Sequence, residues 1–238
     1  MLNSETNSLS FAMDEVIRCS RCVCNNTIPG ISFDDKGVCS LCRSYDLLEL
    51  EFSGNNATEY KLIEIINKIK LANKNNVYDC IIGISGGTDS IYSLFIAKKY
   101  GLNPLAVHID DGWNTKIAQG NIENAVKILN VDLQKIVIDP EELADLTRSF
   151  FKASVPDVEV PPDMAITGSL YRCAKKLGIK YILVGSSFKT EGKMPPGWSY
   201  GDGKYLQSVH QKYGTKPLKN FPNLLLFDYI YYNVIKKI

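Results

Sequence analysis

The stretch Asp79-Cys80-Ile81-Ile82-Gly83-Ile84-Ser85-Gly86-Gly87-Thr88-Asp89-Ser90 runs from an apolar strand into a Ser/Gly turn and on into a helix. Paired glycines let a backbone turn sharply and bring its N–H groups against an anion. A helix that starts near Asp89 adds the partial positive charge of its N-terminus. The segment therefore reads as a pyrophosphate cradle. The plain alternative is a Gly-rich strand-to-helix turn capped by Asp89 or Ser90. The loop lacks the Gly-Lys-Ser/Thr ending of a Walker loop, so no lysine waits there for a γ-phosphate, and it does not fit Gly-x-Gly-x-x-Gly.

Outward from this loop the chain alternates short apolar runs with helical stretches. Strands are predicted at 78–84, 104–109, 133–138 and 181–184, and helices near 89–100, 115–129, 140–152 and 163–177. A further helix begins near Thr58, where Leu62, Ile65, Ile66 and Ile69 share one face. Pro140-Glu141-Glu142 marks a helix start, since proline suits the first turn and acids its positive end. Such alternation implies parallel strands joined by helical crossovers. The expected fold is a doubly wound parallel α/β sheet. Residues 53–238 form this domain, after a loose tail (1–14), a cysteine-rich knuckle within 1–52 and a linker at Ser53-Gly54-Asn55-Asn56.

In open α/β sheets ligands gather outside the carboxyl ends of the strands. Ala106-Val107-His108-Ile109-Asp110-Asp111-Gly112-Trp113 ends the second strand there. His108 is either packed in the sheet or at the nucleotide, and Asp110 and Asp111 either close a solvated turn or serve a magnesium ion. Leu183-Val184-Gly185-Ser186-Ser187-Phe188-Lys189-Thr190-Glu191-Gly192 returns to the same edge. Gly185 permits close backbone approach to a nucleotide, and Lys189 can meet developing phosphate charge. A plain flexible loop is the other reading of everything after Ser187.

Cys19-x-x-Cys22 and Cys39-x-x-Cys42 stand 16 residues apart, the spacing of a four-thiolate zinc site. A closed site of this kind is structural, because no position stays open for water. An iron–sulfur cluster is the competing metal reading. Cys24 is a spare that can replace Cys22 or stay free, while Cys80 and Cys173 read as core.

The 238 residues are 45% hydrophobic and 22% charged, as in ordinary globular proteins, and the net charge of +1 supplies no global field for nucleic acid or acidic membrane. No apolar run approaches the roughly 18 residues of a membrane span, and the N-terminus shows no signal pattern, so a cytoplasmic protein without a nucleic-acid partner is expected.

The string Ser85-Gly86-Gly87-Thr88-Asp89-Ser90 resembles the Ser-Gly-Gly-x-Asp-Ser signature of PP-loop ATP pyrophosphatases. That resemblance implies ATP cleaved between its α- and β-phosphates. It implies that Ser85, Gly86, Gly87, Thr88 and Ser90 hold phosphate oxygens, with Gly83, His108, Asp110 and Gly185 around the nucleotide. Asp89 would bind or orient Mg2+, and Lys189 would act beside it.

Further stretches extend the resemblance to the N-acetyl sugar amidotransferases of lipopolysaccharide and surface-glycan biosynthesis. They include Pro29-Gly30-Ile31-Ser32-Phe33-Asp34-Asp35-Lys36-Gly37-Val38-Cys39, Asn121-Ile122-Glu123-Asn124, Lys152-Ala153-Ser154-Val155-Pro156-Asp157 and Thr190-Glu191-Gly192. Implied is an enzyme that adenylates the N-acetyl oxygen of a nucleotide sugar and lets ammonia form an acetamidino group. Ammonia would come from a separate glutaminase working with a cyclase-like subunit. Asp163, Thr167, Arg172 and Glu191 would border the acceptor, Arg172 meeting a carboxylate or phosphate unless it is simply an exposed helix-face arginine. Residues 194–201 would form a lid or a fixed aromatic loop. Family members usually continue past position 238, so a part that completes the acceptor site or docks the ammonia supplier is expected to be missing, with the helix at Ile235-Lys236-Lys237-Ile238 cut midway. Two rival readings are a PP-loop tRNA thiolation enzyme and a non-catalytic nucleotide-binding subunit.

Overall fold

The computed structural model describes residues 15–238 apart from Ser53, Asn55 and Pro196. The expected tail and two positions of the expected linker thus lie outside the described residues.

Four strands, β1 (Cys80–Gly83), β2 (Pro104–Asp110), β3 (Leu133–Val137) and β4 (Ile182–Leu183), form one sheet in the order β3-β2-β1-β4. Every pairing is parallel. The expected strands are all present, but β4 shrinks to two residues at the sheet edge, and β1 starts two residues later than its apolar run.

Side chains alternate across the strands, so each strand feeds two cores. Cys80 and Ile82 point to the layer built by α2 (Asn56–Ala72), α3 (Thr88–Lys99) and α4 (Lys116–Leu129), meeting Ile69, Leu94 and Ile122. Ile81, Leu105 and Val107 point the other way, onto Leu146 and Phe150 of α5 (Pro140–Ala153) and Ala165 and Leu170 of α6 (Val160–Leu177). Each buried Ile, Leu, Val and Phe among them contributes about 1.5–3 kcal/mol. The sheet is covered on both faces and is doubly wound.

The chain winds β1 to β2 to β3 through α3 and α4, then returns on the opposite face through α5 and α6 to place β4 beyond β1. The winding reverses between β1 and β4, the position at which open α/β sheets leave a crevice. Cys80 and Cys173 are fully or almost fully buried, as expected of core cysteines.

Some helices differ from the sequence reading. The helix expected from 163 begins at Val160, because Pro161 occupies its first turn without loss of a needed N–H. Helix α1 (Ser40–Glu51) is capped by Cys39 and carries Cys42 in its first turn, and α8 (Gly203–Tyr213) is capped by Asp202, whose carboxylate accepts the Tyr205 N–H. Short helices α7 (Phe188–Glu191) and α9 (Leu226–Tyr229) are also present, and α9 runs into a π-helical segment, Ile230–Lys236. After Lys236 the backbone turns left-handed at Lys237, and the Ile238 N–H donates to Tyr232 O.

Candidate nucleotide site at the carboxyl edge

The turn after β1 is held by its own hydroxyls. Ser90 Oγ accepts the Ser85 N–H at 3.2 Å and donates to Gly87 O at 3.1 Å, while Ser85 Oγ accepts the Gly87 N–H at 3.4 Å. Ser90 is therefore committed to loop shape, and Gly87 caps α3 with no side-chain bond. Gly86 has φ +80°, and a Cβ there would lie 2.3 Å from Ala118 O, so only glycine lets the loop pass beneath α4. Asn121 on α4 donates its amide to Gly86 O at 3.0 Å. This residue enters the sequence reading only within a family string; nothing in a lone polar residue on a helix flags it as a brace.

Gly185, just past β4, lies hard against the start of α3. A Cβ on it would come within 2.5 Å of the carbonyl oxygen of Asp89 and of the Ser90 nitrogen. The two strand ends at the reversal of the winding are thus in contact. The structure brings together Gly83, residues 85–90 and Gly185. The Asp89 carboxylate is exposed in the first turn of α3 with no hydrogen bond or ion pair among the described residues. Thr88 is exposed beside it.

His108, expected either packed in the sheet or at the nucleotide, is 3% exposed, and its Nδ1 lies 3.0 Å from Ile84 O, so it supports the root of the loop inside the sheet. Asp110 Oδ1 accepts the Gly112 N–H and the Asn114 amide, closing the turn after β2. The Gly112 N–H, with the Asn114 amide, holds this carboxyl below its ordinary value against a smaller opposing effect of burial.

Helix α6 runs back against the strands: Leu170 Cδ1 lies 3.1 Å from the Cβ position of Gly83. Residues earlier in α6 therefore stand beyond the carboxyl end of β1, at about 1.5 Å per residue. There Asp163 and Thr167 line a cavity of about 210 Å³ with Ser199, Gly201 and Tyr229. A neighbouring cavity of about 670 Å³ joins Asp163 to Met194, Trp198 and Ser199, so the expected lid segment does wall this pocket. Asp157 and Glu159, which the sequence reading did not single out, share the wall. Burial first, then these two carboxylates, raises the Asp163 pKa.

Arg172 does not join them. It lies nine residues farther along α6 than Asp163 and lines a separate cleft with Gln134, Asp139, Lys176 and Asn220. Lys189 and Glu191 are exposed on α7, and neither borders the pocket of Asp163.

The cysteines form a second centre. The thiols of Cys19, Cys22, Cys39 and Cys42 all lie within 4.8 Å of one another. Sγ separations of 3.9 Å for Cys19–Cys42 and 3.7 Å for Cys22–Cys39 suit a tetrahedral metal with bonds of about 2.3 Å, whose edges are about 3.8 Å. Cys24 stays outside this set. Burial raises the Cys19 pKa, but N–H groups of Arg21 and Cys39 outweigh it and hold the thiol at about 6. Cys39 also caps α1, accepting the Cys42 N–H.

No protein-family model matches the chain. An uncharacterised protein of Methanocaldococcus jannaschii is 32% identical over 174 residues, covering 71% of this chain; the chain spans 58% of that relative's length. Among solved structures, a protein titled a predicted subunit of tRNA methyltransferase from the same organism aligns over 63% of this chain and 70% of its own, with 19% identity and a TM-score of 0.34. The NH3-dependent NAD synthetase of Campylobacter jejuni, in complex with nitrate, aligns over 64% of this chain and 72% of its own, with 20% identity and a TM-score of 0.40.

Proposed function

We propose that the chain is a PP-loop ATP pyrophosphatase that adenylates the N-acetyl oxygen of a nucleotide sugar, so that ammonia can convert the acetamido group into an acetamidino group. The observation that carries this reading is the contact of Gly185 with Asp89 and Ser90 beside the Ser85–Gly86–Gly87 turn. Gly86 and Gly185 are tight enough to exclude a side chain, and the turn stands beside the N-terminus of α3. That is a fitting environment for pyrophosphate.

In this reading residues 85–88 hold phosphate oxygens, while the Ser90 hydroxyl, bonded to the Ser85 N–H and Gly87 O, shapes the turn. Asp89, whose carboxylate has no partner among the described residues, would hold Mg2+, which would offset charge on the departing pyrophosphate. The amide oxygen attacks the α-phosphorus, the bond from that phosphorus to the bridging oxygen breaks, and pyrophosphate leaves. Ammonia then adds to the activated carbon, gives up a proton, and AMP departs with the former amide oxygen. Both steps need positioning and charge stabilisation more than a nucleophilic side chain. Lys189 and Glu191 would approach from α7, and Asp163 and Thr167 would hold the sugar, with Trp198 stacking on it. Arg172 has no place beside the sugar in this arrangement, so its part would be to meet a distant phosphate or carboxylate of the acceptor. The four thiolates would hold a structural zinc ion, and a glutaminase with a cyclase-like subunit would supply ammonia.

The test is release of pyrophosphate and AMP from ATP, assayed with ammonium and a panel of N-acetylated nucleotide sugars. Sugar-dependent release supports the reading. Release that requires tRNA instead, with tight salt-sensitive tRNA binding, would replace it with a tRNA-modifying one.

A further inference from the structure

Helix α1 begins at the four-thiol cluster and packs against the loop that follows β4. Phe188, the first residue of α7, packs against two aromatic rings, Tyr45 in α1 and Phe52 at its C-cap: its centroid lies 5.6 Å from that of Tyr45 and 6.1 Å from that of Phe52. The Lys193 ammonium sits 4.5 Å from the Tyr45 centroid, a cation–π contact on the same ring. At its other end α1 is tied to the knuckle. Cys39 caps it, Cys42 lies in its first turn, and Arg21 grips Asp46 through two bonds of 2.6 and 2.9 Å.

The loop between these anchors is short. Gly185 touches Asp89, and three residues later Phe188 is clasped by α1, so Ser186 and Ser187 are fixed from both sides. Helix α7 is only four residues long and buries none of its side chains fully. Too short to be stable by itself, it takes its position from this aromatic contact.

We infer that Tyr45 and Phe52 are positioning residues, through which the cysteine knuckle sets the β4–α7 loop and the exposed Lys189 on it against the nucleotide. The inference rests on the nucleotide reading given above. The knuckle is then part of the working site. Filling the four-thiolate site fixes the first turn of α1, and α1 fixes the loop.

Hydrogen exchange in residues 186–192 of the full chain tests the contact without reference to activity. Tyr45→Ala should leave bound zinc unchanged and speed exchange there by at least about tenfold. Tyr45→Phe, which keeps the ring, should restore protection, and stripping the metal from the wild type should mimic Tyr45→Ala. Unchanged protection in both Tyr45→Ala and the stripped protein would overturn the coupling. In the pyrophosphate assay Tyr45→Ala should lower kcat by about tenfold or more while the KM for ATP stays within about twofold. An undiminished kcat despite a loosened loop would overturn the positioning role. A wild type that releases no pyrophosphate with any acceptor would instead defeat the nucleotide reading, while the exchange result still decides the contact.

Discussion

Gly185 and Asp89 belong to different strand ends, yet a Cβ on Gly185 would lie 2.5 Å from the Asp89 carbonyl oxygen. The backbone after β4 therefore packs directly on the first turn of α3. Gly185→Ala should push these segments apart and weaken ATP binding by about tenfold or more. Calorimetric titration with a non-hydrolysable ATP analogue checks this. Unchanged affinity in the folded variant would show that the contact does not shape the site.

Asp89→Ala removes an exposed carboxylate with no partner among the described residues, so stability should change by less than about 0.5 kcal/mol. Pyrophosphate release should fall by at least about a hundredfold. Thermal melts and turnover measured together separate the two effects, and normal turnover in a well-folded variant would remove Asp89 from the proposed chemistry.

Cys39 is both one of the four clustered thiols, the proposed metal site, and the cap of α1. Cys39→Ser should release the metal and lower the melting point of the knuckle. ATP affinity should persist, since the turn and its braces belong to the main domain. Metal content, circular dichroism and the same ATP titration provide the measurements.

Asp145 is 2% exposed and accepts the N–H groups of Thr215 and Lys216, the Thr215 hydroxyl and a bond from His210 Nε2. Burial acts to raise its pKa, but these donors outweigh it and hold the carboxyl well below its ordinary 3.8. Because the folded-state value is depressed, its stabilisation is fully present above about pH 4 and is lost as pH falls further. Asp145→Asn should cost about 2–3 kcal/mol at neutral pH. Denaturant melts between pH 7 and pH 3 should show the gap between wild type and variant narrowing only at the acid end.

Much of this arrangement is legible in the sequence where one local pattern governs. The apolar run into Ser-Gly-Gly specifies strand, turn and helix, and Cys-x-x-Cys pairs specify the cluster, because neighbouring residues supply all the needed geometry. Helix α8 was also legible: Asp202 as cap, then Leu206, Val209 and Tyr213 at helical spacing. What neighbouring residues do not contain is strand order. Only the placement of β4 beside β1 brings Gly185 to Asp89, while the pairing of β1 with β2 makes His108 a buried support and nine residues along α6 part Arg172 from Asp163. The contact of Phe188 with Tyr45 spans 143 positions and leaves no periodic trace.

The central claim is that ATP is split between its α- and β-phosphates for transfer of AMP to an N-acetyl oxygen. Phosphorus NMR of the purified protein with ATP, magnesium, ammonium and an N-acetylated nucleotide sugar tests it most directly. The account predicts AMP and pyrophosphate in equal amounts, appearing only when the sugar is present and lost in Asp89→Ala. Formation of ADP and inorganic phosphate, or release indifferent to the sugar, would contradict it.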